Sequence, residues 1–389
     1  MPIAKNIKLL SWLNFCTDFI FFAPVAILYF AHVSGSFALG MSIFSIAYVS
    51  SAIFEVPTGI VSDLVGRKKT TILGAMSAVL CVTLYAIGGS YWILAMGSLF
   101  QGLSRAFYSG NNDALLHDTL RELGKEGEYH TYLGKTGSMI QVALALASIM
   151  GSIMAARSFA LVMWASVIPQ IGALLVSLFL VEPSRISSEN TNVIHHLSDA
   201  VKYFAQNKKL RLLSVASAIK FGLGESGYFL RSAFFITLWP MWAIGIASFL
   251  ANIGAAGSYY FSGKIINKFK PLPVMNVEIV SSRIVNFVAL LFPGVASPVL
   301  MSTTSLTYGA GWVAMGSLLQ KEFSQRQRAT MGSINTFLGH MVFGVCSVLL
   351  GAFADRFDAR ITLIVVNILL LVPLFFYRKI FLHVQTHTG

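Results

Sequence analysis

Long apolar runs are the feature that most constrains what this sequence can fold into. Of the 389 residues, 56% are hydrophobic and only 11% are charged, and the mean hydropathy is +0.71. Such a composition excludes a soluble globular domain. A helix that crosses a bilayer needs roughly 20 apolar residues, which leaves room for about twelve crossings. We predict an all-α membrane protein with transmembrane helices near residues 7–32, 39–62, 70–88, 91–116, 131–155, 158–182, 210–236, 240–263, 272–292, 296–319, 329–353 and 361–382.

Basic residues alternate between the two sides of the predicted membrane. The connections after even-numbered spans carry clusters such as Arg67–Lys69, whereas the connections after odd-numbered spans hold only Arg157, Arg356 and Arg360. By the positive-inside rule, both termini are expected in the cytoplasm of a multi-pass protein of the inner cell membrane. The formal net charge of +12 then reflects topology and attraction to anionic head groups. We expect membrane lipid, and no nucleic acid, as a partner.

One longer polar segment, from Glu182 to Lys209, has six predicted spans on either side of it. This arrangement predicts two six-helix bundles joined by a cytoplasmic connection. The expected boundaries are an N-terminal bundle at 1–182, a linker at 183–209 and a C-terminal bundle at 210–389.

Two short sequence matches relate the halves to each other. Gly59-Ile-Val-Ser-Asp63 has a counterpart 204 residues later in Gly263-Lys-Ile-Ile-Asn267, and Ala114-Leu-Leu-His recurs 203 residues later as Ser317-Leu-Leu-Gln. Parallel repeats of this kind are typical of transporters built from two related halves.

The most specific motif lies between the second and third spans. Residues 55–69 read Glu-Val-Pro-Thr-Gly-Ile-Val-Ser-Asp-Leu-Val-Gly-Arg-Lys-Lys. This segment resembles the G-x-x-x-D-x-x-G-R-K signature of the major facilitator superfamily, and the preceding Glu-Val-Pro-Thr resembles a bacterial branch rich in drug and small-metabolite exporters. Residues 109–118 and 328–333 also resemble that branch. The resemblance implies a secondary active transporter that moves a small-molecule substrate by alternating access, and we expect a monomer.

The resemblance also implies a gate at the inner ends of spans two and four, formed by Gly59, Asp63, Gly66, Arg67, Asp113 and Asp118. In the family, this element locks the two bundles together while the transporter faces outward. Gly59 is expected to permit close helix contact, and Asp113 or Asp118 is the expected acidic partner of Arg67. The alternative is that the basic triplet serves membrane topology only.

Four ionisable residues fall within the spans at or near mid-depth, and we assign them to a central cavity and to proton coupling: Asp18, Glu55, Arg105 and Glu225. Each costs on the order of 2.5–3.5 kcal/mol at the bilayer centre on insertion scales, so each should face a cavity or a partner. A carboxylate that gains or loses contact with Arg105 or with substrate can exchange a proton in each cycle. The alternative is that Arg105 pairs with Asp18 or Glu55 to hold the N-terminal bundle together.

Three further basic residues within spans, Lys220, Arg231 and Arg283, either extend towards the interface or line a cavity in the second half. The glycines that surround Glu225 predict that span seven bends as a gate helix.

The direction of transport is the least constrained feature. The resemblance favours proton-coupled export of a drug or metabolite by antiport. Span five, however, reads Ala143-Leu-Ala-Leu-Ala-Ser-Ile-Met-Gly151 and lacks the proline and double glycine of the antiporter motif. Proton-coupled uptake of an organic solute such as a siderophore or nutrient is therefore the alternative.

A membrane enzyme would need a nucleophile with its base, a metal cluster or a phosphate-binding loop. The sequence contains no recognisable pattern of these kinds. We therefore predict no enzymatic activity, no cofactor and no bound metal.

Overall fold

The computed structural model describes residues 2–184, 202–323 and 328–387, and in these ranges the chain forms helices joined by short turns, with no β-strand. The all-α prediction is confirmed for this part of the chain. The α-helices are α1 (Lys5–Asp18), α2 (Ala26–Ser34), α3 (Phe37–Val65), α4 (Arg67–Ile87), α5 (Tyr91–Tyr108), α6 (Asn111–Glu122), α7 (Tyr129–Ala155), α8 (Phe159–Leu178), α9 (Lys208–Phe235), α10 (Ile244–Phe269), α11 (Pro271–Leu291), α12 (Ser297–Thr303), α13 (Ser305–Glu322), α14 (Arg328–Phe357), α15 (Ala359–Leu369) and α16 (Val372–His387).

Nine helical segments within the described ranges are long and apolar enough to cross a membrane. The predicted spans at 91–116, 210–236 and 296–319 are not among them. Charged side chains lower the hydropathy of the first two, since α5 contains Arg105 and α9 contains Glu225 among others. The third is divided between the short α12 and α13. Spans with polar interiors are the ones that neighbouring helices must shield from lipid.

The first span is interrupted, in contrast to the continuous helix predicted at 7–32. Helix α1 ends at Asp18, a 3-10 turn follows at Ala23–Val25, and α2 then begins. Pro24 lies in that turn and has no N–H to donate, which disfavours a continuous helix. Gln170 on α8 donates from Nε2 to the carbonyls of Cys16 (3.3 Å) and Thr17 (3.1 Å), so the end of α1 is satisfied from a neighbouring helix.

Span four is also interrupted. Helix α5 passes into α6 through Gly110, whose φ of +67° is readily adopted by glycine. The amphipathic α6 then carries two of the three predicted acids of the gate, Asp113 and Asp118.

The contacts within the chain divide it into two compact units. The first comprises residues 1–186 and 239–249, and the second comprises 187–238 and 250–389. In the first unit, α1, α6 and α8 share a core built on Leu10, Leu13, Leu115, Leu116 and Ala173. Residues 185–201, which include most of the predicted linker, lie outside the described ranges.

In the second unit, α9 packs closely against α14 and α15. A Cβ atom at Gly222 would lie 2.9 Å from the backbone nitrogen of Phe343, and one at Gly227 would lie 2.9 Å from a methyl group of Val366. Helix α9 is continuous from Lys208 to Phe235. Two of the glycines around Glu225 thus serve close helix packing, and the bend of span seven stays a prediction.

Candidate functional site

Arg105 on α5 lies over the ring of Tyr48 on α3, with 4.5 Å between Cζ and the ring centroid. The two helices approach closely because Gly102 faces α3, where an added Cβ would lie 2.7 Å from the carbonyl oxygen of Ala47. Cation–π contacts contribute about 0.5–2 kcal/mol. This stacking holds the guanidinium at a defined place on the first unit.

Asp18 interacts electrostatically with Arg105. Asp18 is the last residue of α1, so the interruption of the first span determines where its carboxylate lies. The Asp18 side chain is half-buried, whereas that of Arg105 is exposed. The structure thus brings together two of the four residues predicted to serve coupling, and it leaves the cation accessible.

Tyr85 on α4 adds neutral hydrogen-bonding groups to this site. It is fully buried, and its hydroxyl lies 2.9 Å from Ser98 Oγ and donates to Gln101 Oε1 at 2.9 Å. It also interacts electrostatically with Arg105, which lies one turn beyond Gln101 on α5. These groups were not predicted from the sequence, because tyrosine, serine and glutamine are common at helix contacts.

Glu55 lies on α3, two helical turns beyond Tyr48, which corresponds to about 10 Å along the helix axis. It is half-buried. Pro57 has no N–H to donate to the carbonyl of Ile53, which interrupts the hydrogen bonding of α3 here. The neighbouring Thr58 Oγ1 donates to the carbonyls of Phe54 (2.8 Å) and Glu55 (3.2 Å). Glu55 thus occupies a locally weakened part of its helix.

Arg67 is the centre of a polar cluster at the junction of α3 and α4. Its Nη1 lies 3.5 Å from Asp63 Oδ1 and donates to Ser62 Oγ at 2.8 Å, and its Nε lies 3.9 Å from Asp118 Oδ2. Asp118 is thus within ion-pair distance of Arg67, whereas Asp113 is an exposed residue in the first turn of α6.

Glu182 binds the beginning of α4. Its Oε1 accepts from the backbone N–H of Arg67 at 2.7 Å, and its Oε2 accepts from that of Lys68 at 2.8 Å. A carboxylate here satisfies two unpaired donors and is stabilised by the helix dipole. From the sequence, Glu182 was predicted only as the beginning of the polar segment that joins the two bundles. The signal it offered was its position as an acid at the end of span six.

Asn111 is a second residue of this cluster that was not predicted from the sequence. It is buried, and its Nδ2 donates to the carbonyl of Arg67 (3.2 Å) and to Thr71 Oγ1 (2.9 Å), while Ser62 donates to its Oδ1 at 2.8 Å. Asn111 therefore ties α6 to both helices of the signature motif.

The two glycines of the motif differ in their surroundings. Gly66 forms the turn between α3 and α4 with a φ of +102° and a ψ of 161°, a conformation that is essentially restricted to glycine. Gly59 is exposed, and a Cβ added there would meet no atom within 4 Å. The expectation that Gly59 permits close helix contact is not met in this structure, because its face of α3 is open.

In the second unit, Glu225 is half-buried on α9 and interacts electrostatically with Arg231. Arg231 donates to the carbonyl of Met301 and to Thr304 Oγ1, each at 3.5 Å, where α12 passes into α13. Arg231 thus forms long hydrogen bonds to the residues at the junction of α12 and α13, where span ten is interrupted.

Comparison with protein families matches residues 9–345 to the Major Facilitator Superfamily. A curated relative is an uncharacterised transporter, BU466, of Buchnera aphidicola subsp. Acyrthosiphon pisum (strain APS), which is 28% identical over 173 residues. That alignment covers 44% of this chain and 43% of the relative, so it spans less than half of either protein.

Solved structures are similar over nearly the whole chain. A variant of the nucleoside transporter NupG aligns with a TM-score of 0.81 at 15% identity and covers 97% of this chain and 100% of its own. A bacterial homologue of the human lysosomal transporter Spinster gives 0.77 at 13% identity, with 97% of each chain covered. At such identities the likeness concerns the fold. These comparisons confirm the predicted fold class, an all-α membrane protein of twelve transmembrane helices in two six-helix bundles.

Proposed function

Because this chain belongs to the Major Facilitator Superfamily, we propose that it is a proton-coupled exporter of a small organic solute that works by alternating access. A membrane transporter, rather than an enzyme, is what the family and the transporter relatives support. We place it as a monomer in the inner membrane with both termini in the cytoplasm. The moving bodies are the bundles at 1–182 and 210–389.

The observation that carries the proposal is the grouping of Asp18, Arg105 and Tyr48 in the first unit. Arginine stays protonated, so Arg105 supplies a fixed positive charge. Asp18 gains stability as a carboxylate while Arg105 is near, and it loses that stability when substrate or a helix shift takes Arg105 away. Proton uptake by Asp18 then accompanies one half of the cycle and release accompanies the other.

The cluster around Arg67 supplies the gate in this proposal. Asp63, Asp118 and Glu182 all act on the few residues where α3 passes into α4. Contacts to Asp63, which is largely exposed, can change at low cost, whereas the bonds made by Glu182 fix the start of α4. Asp63 is therefore the gate residue that differs between states, and Glu182 holds the scaffold.

Proton-coupled uptake is the second candidate, and one observation favours it. Helix α7 runs unbroken from Tyr129 to Ala155 without the proline of the antiporter motif. Gly151 on this helix is packed against the backbone of Phe21, where an added Cβ would clash with the carbonyl group. The small residues of α7 thus serve contact with the interrupted first span.

The experiment uses purified protein in sealed proteoliposomes with an imposed pH gradient of either sign. Labelled amphipathic compounds, siderophore-like chelates, sugars and nucleosides are tested for accumulation against their own gradient. Antiport predicts that the solute accumulates inside the vesicles only when protons flow outward from an acidic interior. Symport predicts that the solute accumulates inside only when protons flow inward. Equal transport with and without a pH gradient would contradict proton coupling.

A further inference from the structure

Arg283 lies on the protein-facing side of α11. Of its neighbours one turn away on the helix, Ile279 and Asn286 are buried and Val280 is exposed, and its own Nε is buried. Ile284 and Val288, on the other side of the helix, are exposed. Arg283 itself is only partly exposed. This placement favours a cavity in the second unit over extension through lipid to the membrane surface.

A buried ion pair occupies the neighbouring turn. Lys220 Nζ lies 2.6 Å from Glu278 Oε2, and the two side chains are only 10% and 5% exposed. Gly311 on α13 leaves room for the carboxylate, since an added Cβ would lie 2.9 Å from Glu278 Oε2. Glu278 was not identified from the sequence. The structure therefore adds a buried acid to the three basic residues that were predicted within spans of the second half.

Two buried donors near this pair have no hydrogen-bond partner among the described residues. They are Nε of Arg283 and the hydroxyl of Tyr377, whose side chain is 1% exposed. Both residues interact electrostatically with Glu278. An unsatisfied buried donor is costly and calls for an explanation, such as a ligand that completes it.

The charges grouped around Glu278 and Arg231 are unbalanced. The electrostatically connected residues comprise three cations and two carboxylates, a net charge of +1: Lys220, Arg231, Arg283, Glu225 and Glu278. Arg231 and Arg283 also repel each other. Like charges in a poorly solvated site are stabilised when an anion binds between or beside them.

The other helices that pack on α11 add no acid that would restore the balance. Helix α12 has no ionisable residue, and Arg360 of α15 donates to the carbonyl of Leu290 at the far end of α11. Glu322 at the end of α13 is paired with Lys209 at 2.7 Å. The positive charge near Arg283 therefore persists among the described residues.

We propose that the second unit binds a carboxylate group of the transported solute at Arg283, with the Tyr377 hydroxyl as a further donor and Arg231 as a second positive charge. A guanidinium presents paired N–H donors that match a carboxylate. The solute class is thus an organic monocarboxylate. This inference rests on the proposed transport function and specifies its substrate.

The test is thermal stabilisation of the purified full-length protein in neutral detergent, which requires no proton gradient. The probes are aromatic and aliphatic monocarboxylates headed by benzoate, each compared with its uncharged amide, together with phosphate and chloride. We expect the carboxylates to raise Tm by several degrees and the amides to have no effect. Arg283→Gln should weaken the apparent affinity roughly tenfold to a hundredfold, since one charge-assisted hydrogen-bonding group is lost. Arg283→Lys should restore part of it.

Arg360→Gln is the matched control, because Arg360 also binds α11 but lies away from Glu278. It should change the Tm without ligand and leave the rise caused by benzoate intact. Equal stabilisation by acids and amides, no stabilisation by any carboxylate, or an undiminished effect in Arg283→Gln would overturn the proposal. Stabilisation by chloride or phosphate as large as that by benzoate would identify a counter-ion site instead. Transport of uncharged solutes in proteoliposomes would leave the proposed function standing in each of these cases.

Discussion

Asn6 donates a hydrogen bond from Nδ2 to Oγ1 of Thr119 over 3.0 Å, which joins the start of α1 to the last turn of α6. The residues 203 positions later, Lys209 and Glu322, form an ion pair of 2.7 Å between the start of α9 and the end of α13. This is the same offset that relates the Leu-Leu matches in the sequence. Equivalent contacts in the two units support an ancestral repeat whose polar partners have since diverged.

The carboxylate of Glu182 gives a first prediction. Glu182→Gln should destabilise the protein by about 1–2 kcal/mol, because two charge-assisted hydrogen bonds at the start of α4 become neutral and lose the dipole interaction. Thermal unfolding of the purified protein measures this loss. Glu122→Gln is the control, since Glu122 binds Ser184 at an exposed site, and it should change stability by less than about 0.5 kcal/mol. Similar losses in both variants would contradict the role assigned to Glu182.

The motif glycines give a second prediction. Gly66→Ala should cost about 1–3 kcal/mol, because alanine tolerates the observed backbone angles poorly. Gly59→Ala has open space in the interior of α3 and should be neutral or stabilising by up to about 1 kcal/mol. The two melting temperatures, measured side by side, check this. A loss of transport in Gly59→Ala without a loss of stability would assign that glycine to a contact made in another state.

The Lys220–Glu278 pair gives a third prediction. Either single change, Lys220→Met or Glu278→Gln, leaves a buried group without its partner and should cost roughly 3–5 kcal/mol. The double variant should recover most of that stability, since an uncharged pair avoids the desolvation of both ions. Yield and thermal unfolding of the four proteins form a double-mutant cycle. Purely additive losses would show that the two charges do not depend on each other.

Much of the fold followed from the sequence, because apolar run length, basic residues in loops and the residue 55–69 motif are local properties. The interruptions at Pro24 and Gly110 were not predicted. A run of apolar residues has the same hydropathy whether its helix is continuous or broken. The backbone carbonyls that the break leaves free are hydrogen-bonded by distant residues. Gln170, which donates to the end of α1, is over 150 residues away in the sequence.

The site was predicted in part for a similar reason. Charges within spans stand out by their cost, so Asp18 and Arg105 were identified, and in the structure the two charges influence each other. Tyr48, Asn111 and Glu182 contact residues that are far away in the sequence. Their residue types are also common near helix ends and helix contacts, so the sequence did not single them out. Glu278 lies in an apolar span and was detectable by the same cost argument, but its partner Lys220 is 58 positions away.

Arg105 gives a fourth prediction. If Arg105 pairs alternately with Asp18 and with substrate, Arg105→Ala leaves a carboxylate without its cation, and transport should fall at every pH. If Arg105 only joins helices, the variant should lose thermal stability while folded molecules keep near-normal turnover and pH dependence. Tm and transport per folded molecule, measured on the same preparation, separate the two. Reduced stability with an unshifted pH profile would leave Arg105 as a structural residue.

Asp18 is the residue on which proton coupling depends in this account, with Glu55 as the second candidate. The most direct measurement compares two modes of transport in proteoliposomes, accumulation driven by a pH gradient and exchange of substrate at equal pH. The account predicts that Asp18→Asn abolishes accumulation and preserves exchange, because a neutral amide cannot release a proton. Glu55→Gln in the same assay shows whether the second acid shares that role. Undiminished uphill accumulation in both variants would contradict coupling through these carboxylates.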